Sequence, residues 1–276
     1  MNTPLVSIIL PVYNGSETLA LSIKSVLLQD WEDWELIILN DFSKDNSEKI
    51  IQEFEKTDKR IVYVKNEKNL GLQKTLNKGI RISKGKYIAR IDQDDTWVNI
   101  SKLSKQIKFF EENKDYVLTG TDATICNTKG EPIGKYSMPK SDKEIRDKIL
   151  SKNCFLHSSI MARKEDMEKA GLYGEDSNAF CIEDYELWLR LGTIGKLANM
   201  DFVGISIMIH TQSITAKNRI RQAWKILNVI PKYRKIYGNF LKCYIISFCR
   251  LSFFIFISII PFDIKSLVYK IQTKYK

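Results

Sequence analysis

The sequence predicts an α/β protein: a mostly parallel sheet with helices on both faces, followed by a helical C-terminal extension. Three observations carry that reading. Short apolar strands alternate with helix-period segments through residues 5–91, the rhythm of repeated βαβ units. Polar or acidic groups follow three of those strands, at 11–16, 40–46 and 92–97, on the edge where parallel sheets bind ligands. The net charge of +10 is also uneven: residues 219–276 hold twelve Lys or Arg and one acid, Asp263, and the first 218 residues are close to neutral.

Residues 5–12 (LVSIILPV) are a β-branched run between Pro4 and the Asn14-Gly15 turn, as expected of a buried strand. Ser16 is the expected N-cap of a helix that carries Leu19, Ile23, Val26 and Leu27 at helical spacing. The second strand is 35–40, and Asp41-Phe42-Ser43 leads into a helix through Ile50, Ile51 and Phe54. A strand at 61–65, a helix at 72–82 with Leu72, Leu76 and Ile80 on one face, and a strand at 87–91 follow. Past Lys102 the rhythm loosens. Helices are expected over 101–113, 143–150 and 182–191, with strands over 117–126, near 158–162 and at 203–209. Gly130-Glu131-Pro132 marks a hairpin turn.

With 276 residues and 44% hydrophobic content, the chain can bury one large core and carry an appendage. The soft boundary falls near Lys217, dividing residues 1–217 from 218–276. Five cysteines without a Cys-x-x-Cys pair fit reduced thiols better than a disulfide framework or zinc site. Strand-like sequence begins at Leu5 without a basic leader, so the catalytic part is expected to face the cytoplasm. A P-loop and a Gly-x-Gly-x-x-Gly are both absent.

The most informative stretch is KYIARIDQDDTW, where an apolar-leaning strand ends in Asp92, Asp94 and Asp95. Three carboxylates at a strand end repel one another unless a cation lies between them. Hard divalent ions such as Mn²⁺ or Mg²⁺ take oxygen ligands and bridge diphosphates. A solvated acidic turn is the competing reading of the triplet taken alone.

In order and spacing, VSIILPVYN, NDFSKDNS, NLGL, IDQDD and IEDYELWLRL resemble a family 2 glycosyltransferase of the GT-A fold, a Rossmann-like sheet, over about residues 4–215. The resemblance implies an inverting transfer of a hexosyl or N-acetylhexosaminyl group from a nucleotide-diphosphate sugar, a UDP-sugar above all, to a hydroxyl. It places Pro11, Tyr13 and Asn14 against the nucleotide base, with Tyr13 stacking on the ring and Glu17 beside the ribose. Asp41 would accept a hydrogen bond from the base, although an Asx turn is the plainer use of such a residue. Asn40 departs from the aspartate usual there. Asp92, Asp94 and Asp95 match the DxD signature, with Asp94 a direct metal ligand, Asp92 reaching ribose or metal through water, Asp95 a second candidate ligand and His210 a third, and Gln93 beside them on the donor. A structural hydrogen-bonding role is the other reading of His210. Met208 stands where relatives often carry an arginine. Trp97 would pack as core beneath the loop. Asp184 would be the general base with Glu183 beside it, and His157 would lie on the acceptor side. Acids in a first helical turn are also favoured by the macrodipole alone.

The tail adds an amphipathic segment at 219–230 and a twenty-residue apolar stretch at 243–262 interrupted by Arg250. An interfacial helix with lysines on anionic headgroups fits best. A spanning helix, or packing on the enzyme or a partner, are the alternatives. The implied acceptor is a growing surface glycan or lipid-linked glycan, with the enzyme peripheral on the inner face of the cell membrane. Nucleic acid does not fit so apolar a tail. A catalytically silent sugar-nucleotide or glycan-binding subunit and a metal-dependent nucleotidyltransferase are the functional alternatives.

Overall fold

Two strands of seven buried residues, β1 (Val6–Val12) and β2 (Trp34–Asn40), form the middle of the parallel part of the sheet. Strands covered on both faces need such unbroken apolar runs. β1 pairs in parallel with β2 and with β4 (Tyr87–Arg90), and β3 (Ile61–Lys65) pairs in parallel outside β2. Helices α1 (Leu19–Leu27), α2 (Ser47–Thr57) and α3 (Leu72–Ile82) make the crossovers. The computed structural model describes residues 4–176, 179–209 and 218–259.

Val12 lies opposite Asn40, Asn40 opposite Lys65 and Ile9 opposite Arg90. The chain therefore leaves these strands at one common edge, where the three polar loops collect. Beyond β4 the sheet becomes mixed. Its further elements are β5 (Thr96–Trp97), α4 (Lys102–Glu112), β6 (Tyr116–Cys126), β7 (Pro132–Tyr136), α5 (Asp142–Lys148) and a 3-10 turn (His157–Ser159), then β8 (Met161–Arg163), α6 (Lys164–Lys169), α7 (Glu183–Leu191) and β9 (Lys196–Met208). The strand order is β3-β2-β1-β4-β8-β6-β9-β5, with β7 paired to β6. β8 is antiparallel to both β4 and β6, and β9 runs parallel to β6.

Several expectations shift. α1 starts from Thr18, not Ser16; the backbone of Thr18 and Leu19 bonds to the Gly15 carbonyl, and the Ser16 N–H is taken by the Asp45 carboxylate. β9 begins at Lys196, seven residues earlier than the apolar run suggests. Its first half pairs with β6, and such non-local pairing overrides local composition. The stretch near 158–162 divides into the 3-10 turn and β8. Neither β5 nor α6 was anticipated, since both are too short to show a period.

The extension forms α8 (Arg219–Val229), a 3-10 turn (Ile230–Tyr233) and α9 (Phe240–Ile259). Ile226, Val229, Ile230, Tyr233 and Cys243 are buried in the same apolar cluster as Leu187, Trp188 and Leu191 of α7. The Tyr237 hydroxyl donates to the Leu189 carbonyl at 2.6 Å. Thus the extension and the sheet share one core. Arg250, inside the apolar stretch, donates to the Ser151 carbonyl at 2.6 Å. Cys243, Ser247 and Leu251 lie buried on one side of α9, while Leu241, Ile245, Phe248 and Phe256 are exposed. The boundary near Lys217, His210 and the tail lysines past Ile259 lie outside the described residues. All five cysteines are free.

Candidate active site

The loop after β1 is fastened to its neighbours through backbone. Asn14, at φ +50°, donates its N–H to Ser43 Oγ and accepts the Lys44 N–H on its side chain. Gln93 clamps Tyr13 from the other side, accepting its N–H at 2.8 Å and donating to its carbonyl at 3.2 Å. A Cβ on Gly15 would lie 2.4 Å from the Gln93 amide oxygen, so glycine is required for this clamp. Pro11 is buried and Glu17 exposed. The Tyr13 ring is 49% exposed, an aromatic face open to a flat heterocycle.

At the end of β2, Asn40 accepts the Ser43 N–H and donates to the Tyr63 hydroxyl. An aspartate could not make that donation, which gives the amide a physical reason at this position. Asp41, 4% exposed, accepts from the Asn66 side chain at 2.8 Å, the Leu70 N–H at 2.8 Å and the Gly71 N–H at 3.0 Å. Gly71 sits at φ +84°, the left-handed region glycine enters freely. Three donors leave a carboxylate about one acceptor position of its roughly four. Asp41 therefore ties β2 to the loop before α3 and keeps room for one further bond.

The acidic triplet is built around Ser158. The Ser158 hydroxyl accepts the Asp92 N–H and donates to the carboxylates of Asp95 and Asp92. Trp97, 4% exposed, packs beneath and donates to the Ser158 carbonyl at 2.9 Å, as its core role required. Arg90 grips Asp92 with both terminal nitrogens, at 2.6 and 3.2 Å. Burial raises the Asp92 and Asp95 carboxyls, with Asp95 held well above its usual range and Asp94 raising both. The Arg90 charge works against both shifts.

Glu183 and Asp184 open α7. Asp184 accepts from the Asn153 amide and from the Tyr185 N–H, each at 2.7 Å. Burial raises the Asp184 carboxyl, opposed by the Tyr185 N–H, Arg90 and Asn153. Glu183 is pushed up to about 7 by burial, then by the Asp184 charge. His157 bonds the Tyr173 hydroxyl at 2.7 Å and meets Trp188 edge-on. Burial holds its imidazole well below the ordinary range, helped by Arg90, so it is neutral at neutral pH.

Arg90 thus brings together the triplet, His157 and the Glu183–Asp184 pair, all of which feel its charge. Arg90, Ser158 and Asn153 escaped the sequence reading. Arg90 carried a signal, lying two residues before Asp92 on a strand and hence on the same face. Ser158 and Asn153 are brought in by non-local folding and carried none. Among the described residues no group of three or more His, Cys, Asp or Glu forms a ready metal cage. The oxygen donors of Asp92, Asp94 and Asp95 are of the kind a hard divalent ion takes, with Asp92 held by Arg90 and Ser158 and Asp95 by Ser158.

Residues 7–171 match the sequence profile described as glycosyl transferase family 2. An uncharacterised glycosyltransferase of Methanocaldococcus jannaschii is 33% identical over 193 residues, covering 69% of this chain and 65% of that relative. The Escherichia coli UDP-Glc:alpha-D-GlcNAc-diphosphoundecaprenol beta-1,3-glucosyltransferase WfaP is 30% identical, covering 82% of this chain and 85% of its own length. Among solved structures, the mannosyltransferase PcManGT of Pyrobaculum calidifontis, in complex with GDP-Man and Mn²⁺, superposes with a TM-score of 0.65. That match, at 14% identity, covers 99% of this chain and 81% of that one. S. aureus TarS in complex with UDP-GlcNAc superposes with a TM-score of 0.64 at 16% identity, over 82% of this chain and 66% of that one. These superpositions show the GT-A-like architecture: a curled mixed sheet flanked by helices, with a C-terminal helical region. From the profile match and the sequence relatives together, this chain belongs to glycosyl transferase family 2.

Proposed function

We propose that the protein transfers a sugar from a nucleotide-diphosphate sugar, a UDP-sugar, to a hydroxyl of a lipid-linked or growing surface glycan, with inversion. The observation that carries this is the presence of two acidic centres that both feel the charge of the buried Arg90: the Asp92–Asp95 triplet, which Arg90 pairs directly through Asp92, and the Glu183–Asp184 pair at the start of α7. One centre suits the donor diphosphate and the other the acceptor hydroxyl. The named donors of the E. coli relative and of the TarS complex support a UDP-sugar, and that relative's diphosphoundecaprenol acceptor supports a lipid-linked one.

Asp184 takes the proton as the acceptor oxygen bonds the anomeric carbon. The bond from that carbon to the diphosphate breaks, and the nucleoside diphosphate leaves with the electron pair. One displacement inverts the centre. A buried carboxylate with a raised pKa is a stronger base than a solvated one, worth about 10²–10⁴-fold as a general base. Asn153 fixes its orientation. Asp94, with Asp92, would hold a Mn²⁺ or Mg²⁺ ion that offsets the charge of the departing diphosphate; Asp95 and His210 complete the candidate ligands. Tyr13 stacks on the base, Asp41 offers its remaining acceptor position, and Pro11, Asn14, Glu17 and Gln93 shape the donor loop. His157, neutral and anchored to Tyr173, borders the acceptor.

The exposed row Leu241, Ile245, Phe248 and Phe256 on α9 supports attachment to the inner face of the cell membrane. Incubation with UDP-, GDP- and dTDP-sugars plus Mn²⁺ tests the reading. Metal-dependent turnover of one donor class is expected. Tight nucleotide binding without turnover of any donor, in the presence of lipid-linked acceptors, would instead mark a silent binding subunit.

A further inference from the structure

The first turn of α7 follows an unusual backbone. Cys181 sits at φ +74°, a region that side chains with a Cβ rarely adopt. Its peptide neighbours are held from outside the sheet domain. The Gln222 side-chain amide of α8 donates to the Cys181 carbonyl at 2.9 Å. The Lys225 ammonium, one helical turn away, donates to the Phe180 carbonyl at 2.8 Å. Arg221 and Lys225 also lie over the Phe180 ring, 5.0 and 5.7 Å from its centroid. The next carbonyl that could relax this turn is engaged too, because the Ile182 N–H bonds the Ala179 carbonyl and the Glu186 N–H bonds the Ile182 carbonyl.

We propose that Gln222 and Lys225 are positioning residues for glycosyl transfer: through the carbonyls of Cys181 and Phe180 they fix the peptide that aims Glu183 and Asp184. The inference rests on the reading of Asp184 as the base. A strained residue persists only where its surroundings over-determine it, and here the surroundings are two side chains of the C-terminal extension. The backbone from Cys181 to Asp184 is only four residues long, so release of either carbonyl moves the carboxylates directly. The loops that bind donor are fastened elsewhere, through Ser43, Gln93 and Ser158. Loss of the α8 contacts should therefore damage acceptor activation and spare donor binding. The same helix exposes Ile220 and Trp224, so the element that holds the catalytic pair also presents an apolar surface outward.

Gln222→Met keeps length and removes the donor; Lys225→Met does the same, and Lys225→Arg restores one. In full-length protein, Gln222→Met is expected to lower kcat for transfer ~10-fold or more, as small misplacements do. UDP affinity with Mn²⁺ should stay within about twofold, given that separation of loops. Lys225→Arg should recover most of what Lys225→Met loses. Amide exchange across 179–186 should quicken in the Met variants while β1 and β2 stay protected. Unchanged kcat in an active protein overturns the proposal and leaves the glycosyltransferase reading standing. Parallel loss of nucleotide binding, or failure of Lys225→Arg to rescue, reduces the contacts to general stability and overturns it as well. If wild-type protein turns over no donor, the catalytic reading fails, and unchanged exchange across 179–186 then overturns the positional claim separately. Should Gln222→Met fail to fold, Lys225→Met, altering a partly exposed side chain, carries the same measurements.

Discussion

Arg90 and Asp92, two residues apart at the end of β4, form an ion pair of 2.6 Å in which the guanidinium side chain is only 2% exposed. Among the described residues the Arg90 Nε has no hydrogen-bond partner. A buried cation is costly unless carboxylates offset it, and here Asp92 pairs it directly while Asp95, Glu183 and Asp184 feel its charge. Arg90 therefore couples the acidic triplet to the Glu183–Asp184 pair through charge rather than contact.

Arg90→Met should cost about 2–3 kcal/mol of folding stability. That lies below the ~3–5 kcal/mol typical of breaking a fully buried pair, because the Asp92 side chain is 32% exposed. Denaturant melts measure this. Nucleotide affinity should fall with it, since Asp92 loses the charge that opposes the upward push of burial on its carboxyl. A variant as stable as wild type with unaltered binding would remove Arg90 from the site.

Nucleotide binding should need a divalent ion and Asp94. Calorimetry of UDP with Mn²⁺ should show heat that disappears with chelator and falls at least ~10-fold in affinity for Asp94→Ala, the scale of losing a principal ligand. Equal affinity with and without metal would refute the assignment.

Glu183, with its carboxyl at about 7, gives a pH dependence of definite sign. Its folded pKa is above the unfolded one, so between about 4.5 and 7 the folded state holds the extra proton and stability declines as pH rises. Activity runs the other way. If Asp184 is the base, transfer needs it ionised; its charge is one of the causes that raise Glu183, so Asp184 ionises first and meets a neutral Glu183. Glu183→Gln should therefore abolish the decline of stability between about 4.5 and 7 and leave the acidic limb of the kcat/KM profile in place. Asp184→Asn should leave donor affinity nearly intact and reduce transfer about 10²-fold or more. An Asp184→Asn enzyme with weak donor binding and normal turnover would reassign the residue.

The α/β core was legible because β1, β2 and β4 are short, predominantly apolar runs and the helices between them keep a clear 3.6-residue face. The acid-bearing loops were legible for the same reason: they follow strands whose direction the alternation fixes. The groups that hold these acids in place were not. Ser158 lies 66 residues from Asp92, and Asn153 lies 31 from Asp184; only the antiparallel insertion of β8 next to β4 brings the former close. The extension was readable as apolar and basic, yet composition could not say which side of it would be covered. That depended on Tyr237, Arg250 and the carbonyls they meet.

Removal of residues 218–276 should destabilise the protein rather than merely detach it from membranes. Ile226, Val229, Ile230 and Tyr233 are each at most 9% exposed, within the main apolar cluster. Losing four such side chains forfeits several kcal/mol at about 1.5–3 kcal/mol each, a large share of a domain's ~5–15 kcal/mol. A truncated chain that melts cooperatively near the wild-type temperature would contradict the shared core.

Membrane attachment is therefore best tested without truncation. Arg250 donates to Ser151, and Cys243, Ser247 and Leu251 face the protein, so one side of α9 is fixed to the enzyme. Its outer side presents Leu241, Ile245, Phe248 and Phe256. A helix held to the protein through Cys243, Ser247, Arg250 and Leu251 in this way favours lying in the interface over crossing it, where Arg250 would sit in hydrocarbon. Full-length protein should sediment with anionic liposomes, and a Leu241→Ser, Phe248→Ser, Phe256→Ser variant should sediment much less while keeping its melting temperature. Rising salt should weaken wild-type binding only in part, because charge attraction is screened and apolar insertion is not. Complete release by salt would mean a purely electrostatic contact. Resistance even to carbonate would mean a spanning helix, and the Arg250 contact would then have to break on insertion. Binding unaffected by the triple substitution would place the membrane-facing surface elsewhere on the protein.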